Sequence, residues 1–204
     1  MKEIEYIWRE CERFQIQQKK QEFLTLLEYL DATMPIKNDC LEIGAYDGGT
    51  SVGFLNLFRN VVTVDLKARQ SWEIIKKEYP HWLSVQANTH NPKTLKFIKS
   101  INKRYDFIFI DGDHSAEGVE MDFLVYKQFL KPGGVVAFHD IVKSSYHEEN
   151  NCYVHKFWAD YKDKYKNLEV VYLGDEFSGL FASRVPTKQW GGIGIFLNVN
   201  PEVR

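Results

Sequence analysis

The chain has 204 residues, enough for one domain with a sizeable core. Its 26 Lys and Arg against 28 Asp and Glu leave a net charge of −2, which offers no basic field and argues against nucleic acid and membrane partners. With 44% hydrophobic and 26% charged residues it reads as a globular chain rather than a disordered or fibrous one. No stretch approaches the ~18 apolar residues of a membrane span, and Met1–Tyr6 lacks the apolar run of a signal peptide, so a cytoplasmic protein is expected. Cys11, Cys40 and Cys152 show no C-x-x-C spacing and read as ordinary thiols.

Over residues 1–31, Ile4, Ile7, Trp8 and Cys11, then Phe23, Leu24, Leu27 and Leu30, recur at helical spacing. They predict one or two amphipathic helices with no recognisable chemistry, a candidate surface for pairing into a homo-oligomer. From residue 40 short apolar runs take over: Cys40–Ile43, Val61–Val64, Trp82–Val85, Phe107–Ile110 and Val135–Phe138 read as buried parallel strands. Helices are expected between them at about 50–59, 69–79, 92–101 and 116–130, the last stopped by Lys131-Pro132-Gly133-Gly134. This βαβα succession predicts an α/β fold, an open parallel sheet covered on both faces, with ligands bound outside the carboxyl ends of its strands. Residues 141–152 are polar and aperiodic and predict a long loop of the kind that serves as a lid. A helix at about 153–165 and strands at about 168–173 and 193–198 would close the sheet, with Gly174–Gly192 as an irregular connection.

Three motifs carry chemistry. Glu42-Ile43-Gly44-Ala45-Tyr46-Asp47-Gly48-Gly49-Thr50-Ser51 runs from a strand through a glycine turn into a helix that Thr50 or Ser51 can cap. Its G-x-x-x-G-G spacing differs from the G-x-G-x-x-G that seats a pyrophosphate, which disfavours a dinucleotide oxidoreductase. Asp65 closes the next strand, where a carboxylate can accept both hydroxyls of a ribose, so the two motifs together imply a nucleoside ligand. The third motif is a pair of strands ending in acid and imidazole: Phe109-Ile110-Asp111-Gly112-Asp113-His114 and Phe138-His139-Asp140. If these strands are neighbours, Asp111 and Asp140 lie within reach of one divalent cation, and an imidazole from His139 favours a borderline metal. His114, just past the strand, is placed to take a proton from a hydroxyl acidified by that cation, although Asp113 and His114 could equally just open the following helix.

These residues resemble the class I S-adenosylmethionine-dependent methyltransferases, and most closely the small O-methyltransferase-like group that includes macrolide sugar O-methyltransferases and cephalosporin hydroxylase-like proteins. The likeness spans roughly residues 38–198. It is strongest in Phe109-Ile110-Asp111-Gly112-Asp113-His114-Ser115-Ala116-Glu117-Gly118-Val119, Leu130-Lys131-Pro132-Gly133-Gly134 and Phe138-His139-Asp140-Ile141. The resemblance implies a Rossmann-like, mostly parallel seven-stranded sheet with the last strand antiparallel. An N-terminal helical segment, 1–37, would precede an S-adenosylmethionine-binding methyltransferase domain, 38–204.

It further implies that Glu42, Gly44, Ala45, Tyr46, Gly48, Thr50 and Ser51 face the methionine part of S-adenosylmethionine and that Asp65 holds its ribose. Asn88, within Ala87–Pro92, would lie near the adenine, and Asp111 would border the cofactor. Asp111 and Asp140 would hold a divalent metal, Mg²⁺ or Mn²⁺, with His139 where relatives often place another ligand, frequently Glu. His114 matches their general base. The implied reaction is in-line methyl transfer to the oxygen of a small hydroxylated molecule. Contacts to that acceptor would come from residues 141–152, the segment near Trp190 and the N-terminal helices, with Tyr146, His147, His155 and Trp158 as stacking candidates. The rival of the same fold is a noncatalytic protein that binds the cofactor as regulator or scaffold, and the set Asp111, His114, His139 and Asp140 argues against it.

Overall fold

Every apolar run becomes a strand in the computed structural model, which describes residues 3–101, 104–172, 190–197 and 199. The strands are β1 (Asp39–Ile43), β2 (Asn60–Asp65), β3 (Trp82–Gln86), β4 (Tyr105–Ile110), β5 (Leu130–His139), β6 (Lys166–Val170) and β7 (Ile193–Leu197). They form one seven-stranded sheet in the order β3-β2-β1-β4-β5-β7-β6. β7 runs antiparallel to both β5 and β6, and the remaining pairings are parallel. The expected Rossmann-like architecture is therefore the observed one. Because β1 pairs with β2 on one side and β4 on the other, the winding reverses between β1 and β4, and a crevice opens at their carboxyl ends.

Period-2 alternation along the buried strands sends side chains to two cores. Cys40, Val61, Phe107, Phe109, Val135 and Ala137 face one; Leu41, Ile43, Val62, Ile108, Ile110, Val136 and Phe138 face the other. The first core is covered by α1 (Ile4–Glu12), α2 (Lys20–Thr33), α3 (Gly49–Leu57) and α4 (Ser71–Glu78). The second is covered by α5 (Pro92–Ser100), α6 (Ala116–Tyr126) and α8 (Val154–Tyr161). In the second core Phe123 meets Phe138, Phe157 and Phe196 at centroid distances of 5.5, 5.7 and 5.6 Å, all edge to face.

The apolar stripe of the N-terminal helices is spent on this chain's own sheet, since Ile7, Trp8, Cys11, Phe23, Leu27 and Leu30 are all buried in the first core. Helix α3 is consequently apolar all round, lying between the sheet and that N-terminal layer. Gly53 makes the layering possible: a Cβ there would stand 2.5 Å from the Phe23 ring.

Two local expectations are corrected. Helix α6 ends at Tyr126, passes through a short 3-10 turn at Lys127–Phe129, and Lys131–Gly134 then forms an irregularity inside β5 instead of the helix stop. There Lys131 Nζ sits 2.9 Å from Asp106 Oδ1 and 3.2 Å from Asp39 Oδ2, tying together the amino ends of β1, β4 and β5 opposite the crevice. The segment 141–152 holds a short helix, α7 (Ser145–Glu149), whose N-cap Ser144 accepts from the His147 amide. The expected connection at Gly174–Gly192 lies mostly outside the described residues. Among the described residues no helix is long and apolar enough to cross a membrane.

Candidate active site

The crevice begins where β1 breaks at Gly44. Its φ of +84° and the 2.0 Å between a hypothetical Cβ and the Asp111 carbonyl oxygen exclude any side chain at this position. The backbone stays tied to the sheet on both sides: the Gly44 amide donates to Val64 O and the Asp111 amide to Ile43 O, each at 2.8 Å. Asp65, at the end of β2, accepts from the Ala45 and Tyr46 amides through Oδ2 at 2.8 and 2.9 Å, and from the Lys67 amide through Oδ1. The strand-end carboxylate thus shapes the glycine turn.

Glu42 lies beneath that turn. It is fully buried, and its oxygens accept from Thr50 Oγ1 at 2.5 Å, from Thr63 Oγ1 at 2.7 Å and from Ser51 Oγ. Burial pushes its carboxyl up to about 7 against the pull of these hydroxyls. Thr50 and Ser51 are therefore engaged with Glu42, and the N-cap of α3 is Gly48, with no side-chain cap.

On the other side of the switch point, β4 and β5 are neighbours with Ile110 opposite Phe138, so Asp111 and the His139–Asp140 pair emerge together. His139 Nδ1 lies 3.4 Å from Asp111 Oδ1 and 3.2 Å from Asp140 Oδ1. Asp140 has a left-handed φ of +63°, a conformation tolerated by Asp at some cost, which turns its carboxylate back over the strand end. His114 bridges the two acids: Nε2 is 3.3 Å from Asp111 Oδ1 and Nδ1 is 3.8 Å from Asp140 Oδ2. Burial alone would raise both carboxyls, but the imidazoles outweigh it and hold Asp111 and Asp140 below the usual carboxylate range. The reciprocal effect overcomes burial at His114, pushing it up to about 12 through Asp111, Cys152 and Asp140.

Both groups open into one cavity of about 890 Å³. Of the residues expected at the cofactor, Gly44, Ala45, Tyr46, Thr50, Asp65, Asn88 and Asp111 line it, as do His114, His139 and Asp140. Glu42, Gly48 and Ser51 are not among the lining residues: Glu42 and Ser51 bond each other in the core, and Gly48 faces Ile75. Among the acceptor candidates Tyr146, His147 and Trp190 line the cavity. His155 and Trp158 do not, and Trp158 stacks on Phe196 at 4.7 Å with its indole N–H on Glu169.

Sequence reasoning expected the N-terminal helices near the acceptor but singled out none of the residues there that reach the site. Gln15, Ile16, Gln17 and Gln18 line the cavity, and Gln18 Nε2 donates to Asp111 Oδ2 at 2.8 Å. Glu22, fully buried, accepts from the Tyr172 and Gly192 amides at 2.8 Å each. Lys19 Nζ lies 5.2 Å from the Trp190 ring centroid, and that ring meets His139 edge to face at 6.4 Å. His147 was expected only as a stacking ring, yet its Nε2 lies 3.1 Å from Asp140 Oδ1. At the opposite end His90 Nε2 lies 3.2 Å from Asp122 Oδ1 on α6, a fully buried acid. The polar residues Gln15, Gln17, Gln18 and Lys19 clustered between two amphipathic helices, with Glu22 in the first turn of the second, were the available signal.

Comparison with known proteins agrees with this architecture. A family described as "Methyltransferase domain" matches residues 41–141, the span from β1 to the residue after Asp140. Uncharacterized protein R132 of Acanthamoeba polyphaga mimivirus is 26% identical over 159 residues, covering 72% of each chain. An O-methyltransferase from Bacillus cereus in complex with SAH is similar at a TM-score of 0.62 and 15% identity, covering 96% of this chain and 90% of that one. The N-methyltransferase NodS from Bradyrhizobium japonicum WM9 gives 0.62 at 13%, covering 85% and 93%. MycE from the mycinamycin biosynthetic pathway, in complex with Mg, SAH and mycinamycin VI, gives 0.56 at 15%; this chain, 88% covered, spans 50% of its length. At these identities the structural likeness is one of fold. Residues 41–141, from β1 to just past β5, thus match a methyltransferase domain, set in a fold that this chain shares with these methyltransferases.

Proposed function

We propose that this protein is an O-methyltransferase that takes its methyl group from S-adenosylmethionine and acts on a small hydroxylated molecule with the help of a divalent cation. The observation that carries the reading is the convergence of Asp111, His139 and Asp140, with one donor atom each within 4.8 Å of the others, in the same cavity as the glycine turn and Asp65.

The donor set fits a cation. Separations of 3.4 and 3.2 Å from His139 Nδ1 to the two carboxylates match neighbouring ligands around an ion with bonds of about 2.1 Å. Two carboxylates and one imidazole suit Mg²⁺ or Mn²⁺, the imidazole tilting the choice toward Mn²⁺. Bound there, such an ion would acidify a substrate hydroxyl and fix its direction.

The remaining work falls to the chain itself. Gly44, Ala45 and Tyr46 bring bare backbone to one end of the cavity, and Asp65 presents a carboxylate for a ribose. Holding donor sulfonium and acceptor oxygen in line contributes several kcal/mol, up to roughly 7 to 11. His114, whose side chain is 42% exposed, faces the cavity beside both aspartates and takes the hydroxyl proton. It can do so only when positive charge from elsewhere offsets Asp111 and Asp140, which otherwise hold the ring protonated.

Calorimetric titration with S-adenosylhomocysteine, then NAD, repeated with Mg²⁺ and Mn²⁺, tests the reading. Micromolar binding of the nucleoside, no binding of NAD, and uptake of a divalent ion that Asp111→Asn abolishes are the expected results. Nucleoside binding with no metal uptake would overturn the metal assistance, and failure to bind the nucleoside would overturn the function.

A further inference from the structure

The two oxygens of Asp140 point to different partners. Oδ1 faces His139 Nδ1 and His147 Nε2, whereas Oδ2 faces His114 Nδ1 at 3.8 Å and Cys152 Sγ at 3.6 Å. We propose that His114 Nδ1, Asp140 Oδ2 and Cys152 Sγ form a second cation site, selective for a thiophilic ion of the Zn²⁺ kind and sharing Asp140 with the first.

The geometry is that of a three-ligand zinc site. Around a tetrahedral ion with Zn–N and Zn–O bonds of about 2.0 to 2.1 Å and a Zn–S bond of about 2.3 Å, a sulfur and an oxygen ligand stand about 3.5 Å apart and a nitrogen and an oxygen about 3.4 Å. The 3.6 Å from Cys152 Sγ to Asp140 Oδ2 therefore fits, and the 3.8 Å from His114 Nδ1 closes by a few tenths of an ångström on binding. One donor atom from each of the three residues lies within 4.8 Å of the others. All three residues line the cavity, which leaves a fourth position for water or a ligand.

The frame holding them is tied by backbone. The Tyr153 amide donates to His114 O and the Cys152 amide to His147 O, each at 2.7 Å, so the turn carrying the thiol is fastened to the turn carrying the imidazole. A sulfur ligand separates this site from its neighbour: thiolate favours Zn²⁺ and is a poor partner for Mg²⁺. On binding, the thiol proton leaves to solvent and a sulfur–zinc bond replaces the S–H···O contact with Asp140. Zinc held here occupies His114, so methyl transfer should fall as the site fills; that consequence alone rests on His114 being the base.

The test uses the full chain and Co²⁺ as a spectroscopic substitute for Zn²⁺, because a thiolate ligand gives cobalt a near-ultraviolet charge-transfer band. One cobalt ion bound with that band, displaced by stoichiometric Zn²⁺, is expected. The band should vanish in Cys152→Ser, with zinc affinity at least ~100-fold weaker. His114→Gln should weaken zinc comparably, whereas Asp111→Asn should keep the band. Circular dichroism shows which variants are folded, and either Cys152→Ser or His114→Gln suffices. Absence of the band in the wild type, or zinc affinity unchanged in a folded Cys152→Ser or His114→Gln protein, overturns the site. Loss of zinc in Asp111→Asn alone assigns the ion to the first site and also overturns it. A thiolate-bound ion in a protein that fails to bind S-adenosylhomocysteine leaves this site standing and removes the methyltransferase reading.

Discussion

Gln18 Nε2 donates to Asp111 Oδ2 at 2.8 Å, joining residues 93 positions apart and bringing the N-terminal segment onto the end of β4. Gln18 is 3% exposed, and among the described residues its Oε1 has no hydrogen-bond partner. A buried amide with one half unpaired contributes little to stability, whereas a hydrogen bond to a carboxylate is worth about 1.5 to 3 kcal/mol. Gln18 is thus a positioning residue for Asp111. Gln18→Ala should lower kcat about tenfold while leaving S-adenosylhomocysteine affinity nearly unchanged. Equal kcat in the variant and the wild type would show that Asp111 needs no tether.

His114 carries a separate expectation because it touches both acids while 42% of its side chain is exposed toward the cavity. His114→Ala should leave cofactor affinity nearly intact and cut turnover by ~10²-fold or more. Isothermal titration with S-adenosylhomocysteine beside a turnover assay separates the two effects. Turnover equal to wild type would remove His114 as the base.

The His90–Asp122 pair makes a prediction at the far end of the cavity. Asp122 is fully buried and its carboxyl is pushed up to about 6 by burial, with Thr89 and His90 pulling the other way. At 3.2 Å it stands beside the ring of His90, which lines the cavity with Asn88 and Thr89. Since this end is the proposed nucleoside pocket, Asp122→Asn should raise the KM for S-adenosylmethionine roughly 3- to 10-fold, the effect of losing a charge contact of about 1 kcal/mol, with kcat little changed. A fall in kcat at constant KM would place the pair nearer the chemistry than the geometry does.

Much of the fold was legible because its signals are local. Continuous apolar runs such as Phe107–Ile110 can only be strands buried on both faces, and Asp65, Asp111 and Asp140 stand out because they end such runs. The pairing of β4 with β5, which brings Asp111 to His139, stood in the sequence only as a condition, and the structure meets it. What was illegible depends on distance in the chain. Nothing near Gln18 or Glu22 announces Asp111 or Gly192 as a partner, and the helices on either side looked merely amphipathic. Glu42 was expected at the cofactor because it sits in the glycine motif, yet period-2 alternation turns it into the core, where Thr63 of the neighbouring strand meets it. Lys131–Gly134 carried the signature of a helix stop, and its effect appears a few residues late, as an irregularity in β5.

Glu42 also sets a pH dependence of stability. Its carboxyl rises from the ordinary 4.5 to about 7 because burial penalises the charged form more than the three hydroxyls reward it. A folded value above the unfolded one means that the native state binds the proton more tightly. The resulting stabilisation is complete below pH 4.5, declines as pH rises through the window from 4.5 to 7, and is gone above it. A shift of that size corresponds to roughly 3 kcal/mol, a large share of a domain's stability. Glu42→Gln keeps the shape and a hydrogen-bonding end group but cannot ionise, so its own contribution should be flat across the window. Other buried acids, including Glu22 and Asp122, titrate with the same sign in both proteins and cancel in the comparison. Urea unfolding at half-unit steps between pH 4 and 8 should show the wild type losing stability relative to Glu42→Gln, most steeply between pH 5 and 7. Parallel curves would mean that Thr50, Ser51 and Thr63 stabilise the carboxylate fully, and that Glu42 stays ionised in the core throughout this range.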